Sequence, residues 1–260
     1  MRQAPDLTTS VLPRGATQEP SRRSLPIKRL ASLLSTIIVS LSAILTSLWL
    51  SANGKAPLEI DFQALQLSAS EQHPTQSSRV ITQWQELIES TQTRPAKEQL
   101  TRINHFFHRH ITYREDNAVW GQSDYWATPL QTLMRGQGDC EDYSIGKYVS
   151  LLQAGVPNEK LRLIYVRARI GGPSSPVTRP HMVLAYYQSP EAEPLILDSL
   201  TRDVLPASER TDLFPVFSFN SESLWVGGNR APSTSPTQRL SHWRSVIERM
   251  NKEGIRWTQQ

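Results

Sequence analysis

Three residues suited to nucleophilic catalysis follow one another along the 260-residue chain: Cys140, His181 and Asp198. A thiolate is a nucleophile, an imidazole can take its proton, and a carboxylate can orient the imidazole. Cys140 stands where a helix should begin, and the unpaired N–H groups of a helix start stabilise negative charge. His181 opens one apolar strand and Asp198 ends the next, so neighbouring antiparallel strands would place the two side by side. The pattern favours a cysteine nucleophile, although these spacings alone are not diagnostic.

The elements that must position these residues change in character along the chain. Helical spacing of apolar residues comes first, and short runs rich in β-branched residues follow, so the sequence predicts an α+β domain with N-terminal helices packed on an antiparallel β-sheet. The predicted helices begin near Val80, after Pro95, at Thr128–Pro129 and at Cys140 (to about Gln153, with Asp139 as N-cap and Gly155 as stop), with a last one over Leu240–Met250; the predicted strands are Leu161–Arg169, Met182–Tyr187 and Leu195–Leu197.

The N-terminal part of the chain carries a membrane signal. Residues 30–50 are uncharged and apolar, and they follow Arg22, Arg23, Lys28 and Arg29. Such a run can span a bilayer, and its basic flank keeps the N-terminal side in the cytoplasm. A signal anchor and a cleaved signal peptide both fit, and the length favours the anchor. We therefore predict a disordered cytoplasmic N-terminus over 1–29, a signal anchor or signal peptide over 30–50, a linker over 51–78 with a short apolar element at 60–67, and a folded domain over 79–260.

The positive charge of the chain belongs to this membrane signal. The chain has 28 basic and 24 acidic residues, of which six basic and two acidic ones lie in residues 1–52. The remaining chain holds 22 of each and is neutral. A nucleic-acid partner requires a basic face on the folded part, so we exclude that class.

Five motifs together resemble the bacterial transglutaminase-like cysteine proteinases, the LapG family. They are Gly138–Tyr143, His181–Leu184, Leu197–Leu200, Tyr125–Pro129 and Lys147–Tyr148. The resemblance extends from about Val80 to Leu205. It implies a papain-like fold with a catalytic triad of Cys140, His181 and Asp198.

The same resemblance implies a calcium requirement, with the acidic residues that flank the cysteine implicated; here these are Asp139 and Glu141. Asp142 adds a third carboxylate in the same turn. Without a cation, these charges would raise the pKa of Cys140 by repulsion. Calcium prefers oxygen ligands, so we expect Asp139, Glu141 and Asp142 to contribute to a Ca²⁺ site. Carboxylates also favour the first turn of a helix, which is the alternative explanation for all three.

Members of the resembled family are periplasmic, and they cleave a very large repeat adhesin near its N-terminus, which releases the adhesin and disperses biofilm. An inner-membrane receptor for cyclic di-GMP sequesters the protease. The resemblance therefore implies a periplasmic endopeptidase with an adhesin as substrate and that receptor as regulator.

Two other functions fit the same residues. A transglutaminase-like acyltransferase would use the same three groups with an amine as acceptor, and a non-catalytic periplasmic binding module would retain the fold alone.

The backbone N–H of Cys140 and a side chain near Trp126 are candidates for an oxyanion hole. His105, His108 and His110 also suggest a metal cluster, but histidine is favoured at a helix C-terminus, so zinc is not expected.

Overall fold

The computed structural model describes residues 58–72, 78–226 and 235–257. The predicted cytoplasmic segment 1–29 and the predicted membrane segment 30–50 lie outside these ranges. Of the helices inside them, none has the length and apolar character needed to cross a bilayer.

Helices and strands are distributed along the described ranges as follows. The helices are α1 (Phe62–Gln72), α2 (Arg79–Thr91), α3 (Ala96–His110), α4 (Asp116–Val119), α5 (Pro129–Arg135), α6 (Cys140–Gln153), α7 (Pro236–Arg239) and α8 (Ser241–Glu253). The strands are β1 (Leu58–Ile60), β2 (Thr112–Tyr113), β3 (Gln137–Gly138), β4 (Leu161–Arg169), β5 (Thr178–Tyr186), β6 (Leu195–Leu197), β7 (Leu205–Pro206), β8 (Leu213–Phe219), β9 (Leu224–Val226) and β10 (Ile255–Trp257).

A six-stranded antiparallel sheet with the order β7-β6-β5-β4-β8-β9 forms one layer of the domain. Its central strands β4 and β5 pair over their full length, from Leu161 with Tyr186 to Arg169 with Thr178. The first six helices lie mainly before the sheet in the chain, which confirms the α+β prediction. Strand β4 has its predicted bounds, and so does β6, whereas β5 begins four residues earlier than predicted because the polar residues from Thr178 pair with β4.

Helix α6 joins the helical layer to the sheet. It packs against β5 on one side and α3 on the other, and every residue from Glu141 to Leu152 is buried. Its predicted bounds are confirmed, since it starts after Asp139 and ends just before Gly155, whose φ of 89° suits glycine. Glycine is also needed inside the helix, because a Cβ on Gly146 would lie 2.2 Å from Cε1 of Phe107.

The predicted linker over 51–78 is wrong for residues 58–72. Strand β1 pairs antiparallel with β10 at the other end of the domain, and Leu58 and Ile60 are buried in the core. Helix α1 follows and buries Leu65 and Ala69. The pairing joins residues that are almost 200 positions apart, so no local pattern in the polar segment pointed to it.

Helix α5, which packs against α6, illustrates how local signals in the sequence determine the ends of a helix. Thr128 accepts from the backbone N–H of Gln131, and the Gln131 side chain accepts from the backbone N–H of Thr128, which is a complete capping box. Pro129 occupies the first turn, and Gly136 ends the helix with a φ of 62°. The predicted N-cap and stop of this helix are both confirmed.

We predict that Gly146→Ala destabilises the protein, by roughly 1–3 kcal/mol for overpacking a core. In an exposed helix the same change stabilises by about 1 kcal/mol, so the sign of the effect reports the contact with Phe107. Chemical denaturation of the full chain measures it. The double variant with Phe107→Leu should lose less stability than the sum of the two single changes. An unchanged or raised denaturation midpoint for Gly146→Ala would contradict this packing.

Candidate active site and metal centre

Strands β5 and β6 bring His181 and Asp198 together. His181 lies on β5 opposite Val166 of β4, and Asp198 directly follows β6, which pairs with the end of β5. The Nε2 atom of His181 is 2.7 Å from Oδ1 of Asp198, and both side chains are buried, with 5% and 0% of their surface exposed. The backbone N–H of Leu200 donates to the same carboxylate oxygen at 3.0 Å.

The charge state of Asp198 follows from its surroundings. Burial opposes its ionisation, but the hydrogen bond from His181, the charge of Arg210 and the Leu200 N–H outweigh burial and hold the pKa of Asp198 well below its usual range. Asp198 is therefore an ionised acceptor, and His181 must carry its proton on Nε2 to donate to it. This leaves Nδ1 of His181 as the basic nitrogen.

Cys140 sits at the first position of α6, where this helix meets β5. The backbone N–H of Met182, the residue after His181, donates to the Cys140 sulfur. One turn further along α6, the Ser144 hydroxyl donates to the Met182 carbonyl at 3.1 Å. The two bonds fix the cysteine beside the strand that carries the histidine.

The Cys140 thiol is held in its protonated form by its neighbours. Burial is the main cause, and the charge of Glu141 and the hydrogen bond from Sγ to Glu141 Oε2, at 2.9 Å, add to it; together they raise the pKa of the thiol well above its ordinary value. The Met182 N–H acts in the opposite direction without offsetting them. Neutralising the nearby carboxylate charge would therefore lower the pKa of the thiol and favour its activation.

Cys140 and His181 line one cavity of about 560 Å³. Trp126, Tyr165 and Met182 contribute apolar walls to it. Trp126 is fixed there because its ring stacks on Phe219, with centroids 5.9 Å apart, and its indole N–H donates to Asp124 Oδ1 at 2.9 Å. This N–H already has an acceptor, so it is not a free donor for the oxyanion hole considered from the sequence.

Asp142, rather than Asp139, caps the start of α6 with its side chain. Asp139 occupies the N-cap position as predicted, but its side chain makes no capping hydrogen bond. The Asp142 carboxylate instead accepts from the backbone N–H groups of Asp139 and, at 2.7 Å, of Ala127. A Cβ on Gly138 would lie 2.6 Å from Asp142 Oδ2, which explains a glycine there.

A cluster of buried carboxylates lies beside the cysteine. Asp116, Asp139 and Asp142 each bring one ligand oxygen within 4.8 Å of the others, and Asp139 Oδ1, Asp142 Oδ2 and Asp116 Oδ1 have no hydrogen-bond partner. Asp116 comes from α4 and is fixed by a hydrogen bond from the Tyr125 backbone N–H. The sequence analysis missed Asp116, since it lies in a separate polar segment with no spacing relation to Cys140. Glu141 belongs to a second group, with Cys140 and Asp139.

The cluster has the electrostatics of a cation site. Burial, followed by the charges of Glu141 and Asp142, raises the pKa of Asp139 to about 10. Burial also raises the pKa of Asp116 to about 6, with Glu141 adding to the effect, and raises that of Asp142. Unpartnered carboxylate oxygens at this spacing suit a hard divalent cation such as calcium.

Comparison with known proteins places this geometry in context. Residues 73–226 match the family described as bacterial transglutaminase-like cysteine proteinase. Among solved structures, the chain is similar to Legionella pneumophila LapG in an EGTA-treated form, with 38% identity and a TM-score of 0.64 over 75% of this chain and 100% of that one. It is also similar to calcium-bound LapG from the same organism, with 38% identity and a TM-score of 0.62 over 74% and 99% of the two chains. No curated protein matches the chain.

We predict that Asp116→Asn stabilises the protein in EGTA. Folding raises the pKa of the Asp116 carboxyl to about 6, so the folded state binds its proton more tightly than the unfolded state does. The resulting loss of stability begins as the pH rises through the ordinary pKa of aspartate, and it reaches its full size above about pH 6. Asparagine removes this cost and can still accept from Tyr125. Near neutral pH the thermal midpoint should rise by roughly 2–4 °C, the effect of about 1 kcal/mol in a domain of this size.

The control for Asp116→Asn is Asp203→Asn, at an exposed position outside the carboxylate cluster. It should leave the thermal midpoint unchanged in EGTA. Below the ordinary pKa of aspartate, about 3.9, Asp116→Asn should have no stabilising effect either. A lower midpoint for Asp116→Asn near neutral pH would show that the carboxylate is not repelled there.

Proposed function

On the premise that the chain belongs to the bacterial transglutaminase-like cysteine proteinase family, we propose that it is a calcium-dependent endopeptidase with Cys140 as nucleophile, His181 as base and Asp198 as the residue that orients the base. The observation that carries this proposal is the 2.7 Å contact of His181 with an ionised Asp198, in a cavity that Cys140 also lines. No other cysteine exists in the chain to serve as nucleophile.

The proposed reaction follows from the donors and acceptors of these groups. His181 Nδ1 takes the proton of the Cys140 thiol, and the thiolate attacks the peptide carbonyl. The carbonyl oxygen becomes an oxyanion, toward which the backbone N–H of Cys140 contributes one donor. The imidazolium, stabilised by Asp198, returns the proton to the leaving amine. Water, activated by His181, then hydrolyses the thioester and frees the thiol.

We further propose that Ca²⁺ binds the carboxylate cluster beside the cysteine. Asp116, Asp139 and Asp142 fit it, because each offers a buried oxygen without a hydrogen-bond partner. Glu141 fits a supporting role, since its carboxylate lies against both Asp139 and the thiol. When bound, the cation supplies positive charge that neutralises these carboxylates and lowers the cost of forming a thiolate. The calcium-bound form of the Legionella protein supports calcium as the cation.

The proposed substrate is the N-terminal region of a large repeat adhesin on the cell surface, whose release would promote biofilm dispersal. The proposed regulator is an inner-membrane receptor for cyclic di-GMP. Both come from the family resemblance. The proposed location is the periplasm, with residues 30–50 serving as an inner-membrane anchor or signal peptide, and its support is the uncharged apolar run behind four basic residues.

We predict that the purified full-length protein, with calcium, cuts the N-terminal region of an adhesin encoded beside it, and that Cys140→Ser is inactive but folded. Mass spectrometry of the products decides the chemistry. Two fragments whose masses sum to the substrate plus one water indicate hydrolysis. A product joined to an added primary amine would instead indicate acyl transfer. Cleavage by Cys140→Ser at the parent rate would exclude the cysteine mechanism.

We predict that EGTA abolishes this cleavage and that calcium restores it better than magnesium, which prefers a smaller, strictly octahedral site. Asp116→Asn and Asp139→Asn should each raise the calcium concentration for half-maximal activity by roughly tenfold or more, about the effect of losing one charged ligand contact of 1.4 kcal/mol. The control, Asp203→Asn, changes an exposed aspartate that does not line the cavity and should respond to calcium as the parent does. Full activity in EGTA after confirmed metal removal would leave these acids a structural role only.

A further inference from the structure

The Asp198 carboxylate has a close polar neighbour at each of its oxygens. Oδ1 receives His181 Nε2 and the Leu200 N–H, whereas Oδ2 lies 2.6 Å from Nη2 of Arg210. Asp198 is fully buried, and only 8% of the Arg210 side chain is exposed. A buried ion pair of this kind favours the ionised form of both of its members.

Arg210 is itself fixed by a second carboxylate. Its Nε and Nη2 donate to the two oxygens of Asp212, at 3.0 and 2.8 Å, in the bidentate arrangement that suits guanidinium. Asp212 is partly exposed, with 38% of its side chain accessible. The guanidinium therefore bridges a surface carboxylate and the buried one, and its plane is set by Asp212.

Arg210 lies in the connection between β7 and β8. Ala207 and Leu213, on either side of this residue, pack on an apolar cluster of β4, β5 and β6. The Arg210 backbone N–H donates to the Ala207 carbonyl, and the Leu213 N–H donates to the Arg210 carbonyl. The position of the arginine is thus fixed by the sheet and not by the loop that contains Asp198.

Two other side chains contact the main chain of Asp198 and not its carboxylate. The ammonium of Lys147 donates to the Asp198 carbonyl at 2.9 Å, and His108 Nε2 lies 2.8 Å from the same oxygen. Neither of these hydrogen bonds involves Oδ2. The ammonium of Lys147 also interacts electrostatically with Asp198, but among the described residues it is Arg210 that places a cation against Oδ2.

We propose that Arg210 is a positioning residue of the reaction, which acts through its ion pair with Asp198 Oδ2 to keep that carboxylate ionised and aimed at His181. This inference rests on the proposed function, because it assumes that Asp198 orients the base. Without the guanidinium, a fully buried carboxylate beside a neutral imidazole would shift toward its protonated form. It would then donate to His181 instead of accepting from it, and it would no longer stabilise the imidazolium.

The test compares Arg210→Met and Arg210→Lys with the parent, using the full-length protein with calcium near neutral pH. Alkylation of Cys140, the single cysteine of the chain, by iodoacetamide is followed by intact mass, and cleavage of the adhesin fragment gives kcat and KM. For Arg210→Met we expect alkylation and kcat to fall roughly 10²-fold, the lower range for losing acid–base assistance, with KM nearly unchanged. Arg210→Lys keeps the positive charge but lacks the planar guanidinium, so its rates should lie between those of Arg210→Met and the parent.

Arg162→Met is the matched control. Arg162 belongs to β4 of the same sheet, and its guanidinium lies 4.1 Å from the centroid of the Trp225 ring, so its loss removes a comparable side chain without touching Asp198. Both rates should stay at the parent level in this variant. Parent rates in Arg210→Met, or equal losses in Arg162→Met and Arg210→Met, would overturn the proposal.

Two further outcomes separate this inference from the proposed function. If Arg210→Met does not fold, Arg210→Gln decides, because glutamine removes the charge but can still donate a hydrogen bond to Asp198: a kcat equal to that of the parent would overturn the positioning role. If alkylation of the parent is no faster than that of the His181→Ala variant, the triad itself fails, and the role of Arg210 fails with it. One pattern of alkylation rates would refute the role of Arg210 alone. In that pattern His181→Ala reacts more slowly than the parent, whereas Arg210→Met reacts as fast as the parent.

Discussion

Both backbone polar groups of Met182 are bonded to helix α6: its N–H donates to Cys140 and its carbonyl accepts from Ser144. This double contact seats the start of a buried helix on the central strand, one residue after His181. Other packing contacts in the domain hold α6 and the strands around it in this arrangement. Gly146 lets Phe107 pack against the same helix, the β1–β10 pair joins the ends of the domain, and β6 ends where Asp198 can reach the histidine. Moving the helix along the strand would separate the proposed nucleophile from its base.

The helix start combines two opposing electrostatic demands. A thiolate needs positive potential, yet the first turn of α6 carries Glu141 and Asp142 beside Asp139, and Asp116 adds another buried carboxylate. Their mutual repulsion and desolvation raise the pKa values of Asp139 and Asp116 to about 10 and about 6, and the thiol pKa is raised as well. Without a cation the site therefore lowers the free energy of unfolding, and a bound cation would offset this cost. Such a coupling would make activity conditional on calcium and not merely increased by it.

Local signals in the sequence predicted the elements that carry the proposed triad. The glycines at 136 and 155 and the Thr128–Pro129 pair mark helix ends through their own backbone preferences, and β-branched runs mark β4 and β6. Contacts between distant segments could not be predicted in this way. Strand β1 depends on a partner near the C-terminus, and Asp116 and Arg210 reach the site only through the folded chain. Asp139 occupies its predicted N-cap position, but only the geometry shows that its side chain makes no capping bond whereas that of Asp142 bonds to the backbone.

The central claim is that His181, oriented by Asp198, takes the proton of Cys140. Its most direct test is the pH dependence of Cys140 alkylation by iodoacetamide in calcium, compared between the parent and His181→Ala. The account predicts that the parent remains reactive well below the ordinary thiol pKa of about 8.5, whereas His181→Ala becomes reactive only as the pH approaches or exceeds that value. Superimposable profiles for the two proteins would contradict it.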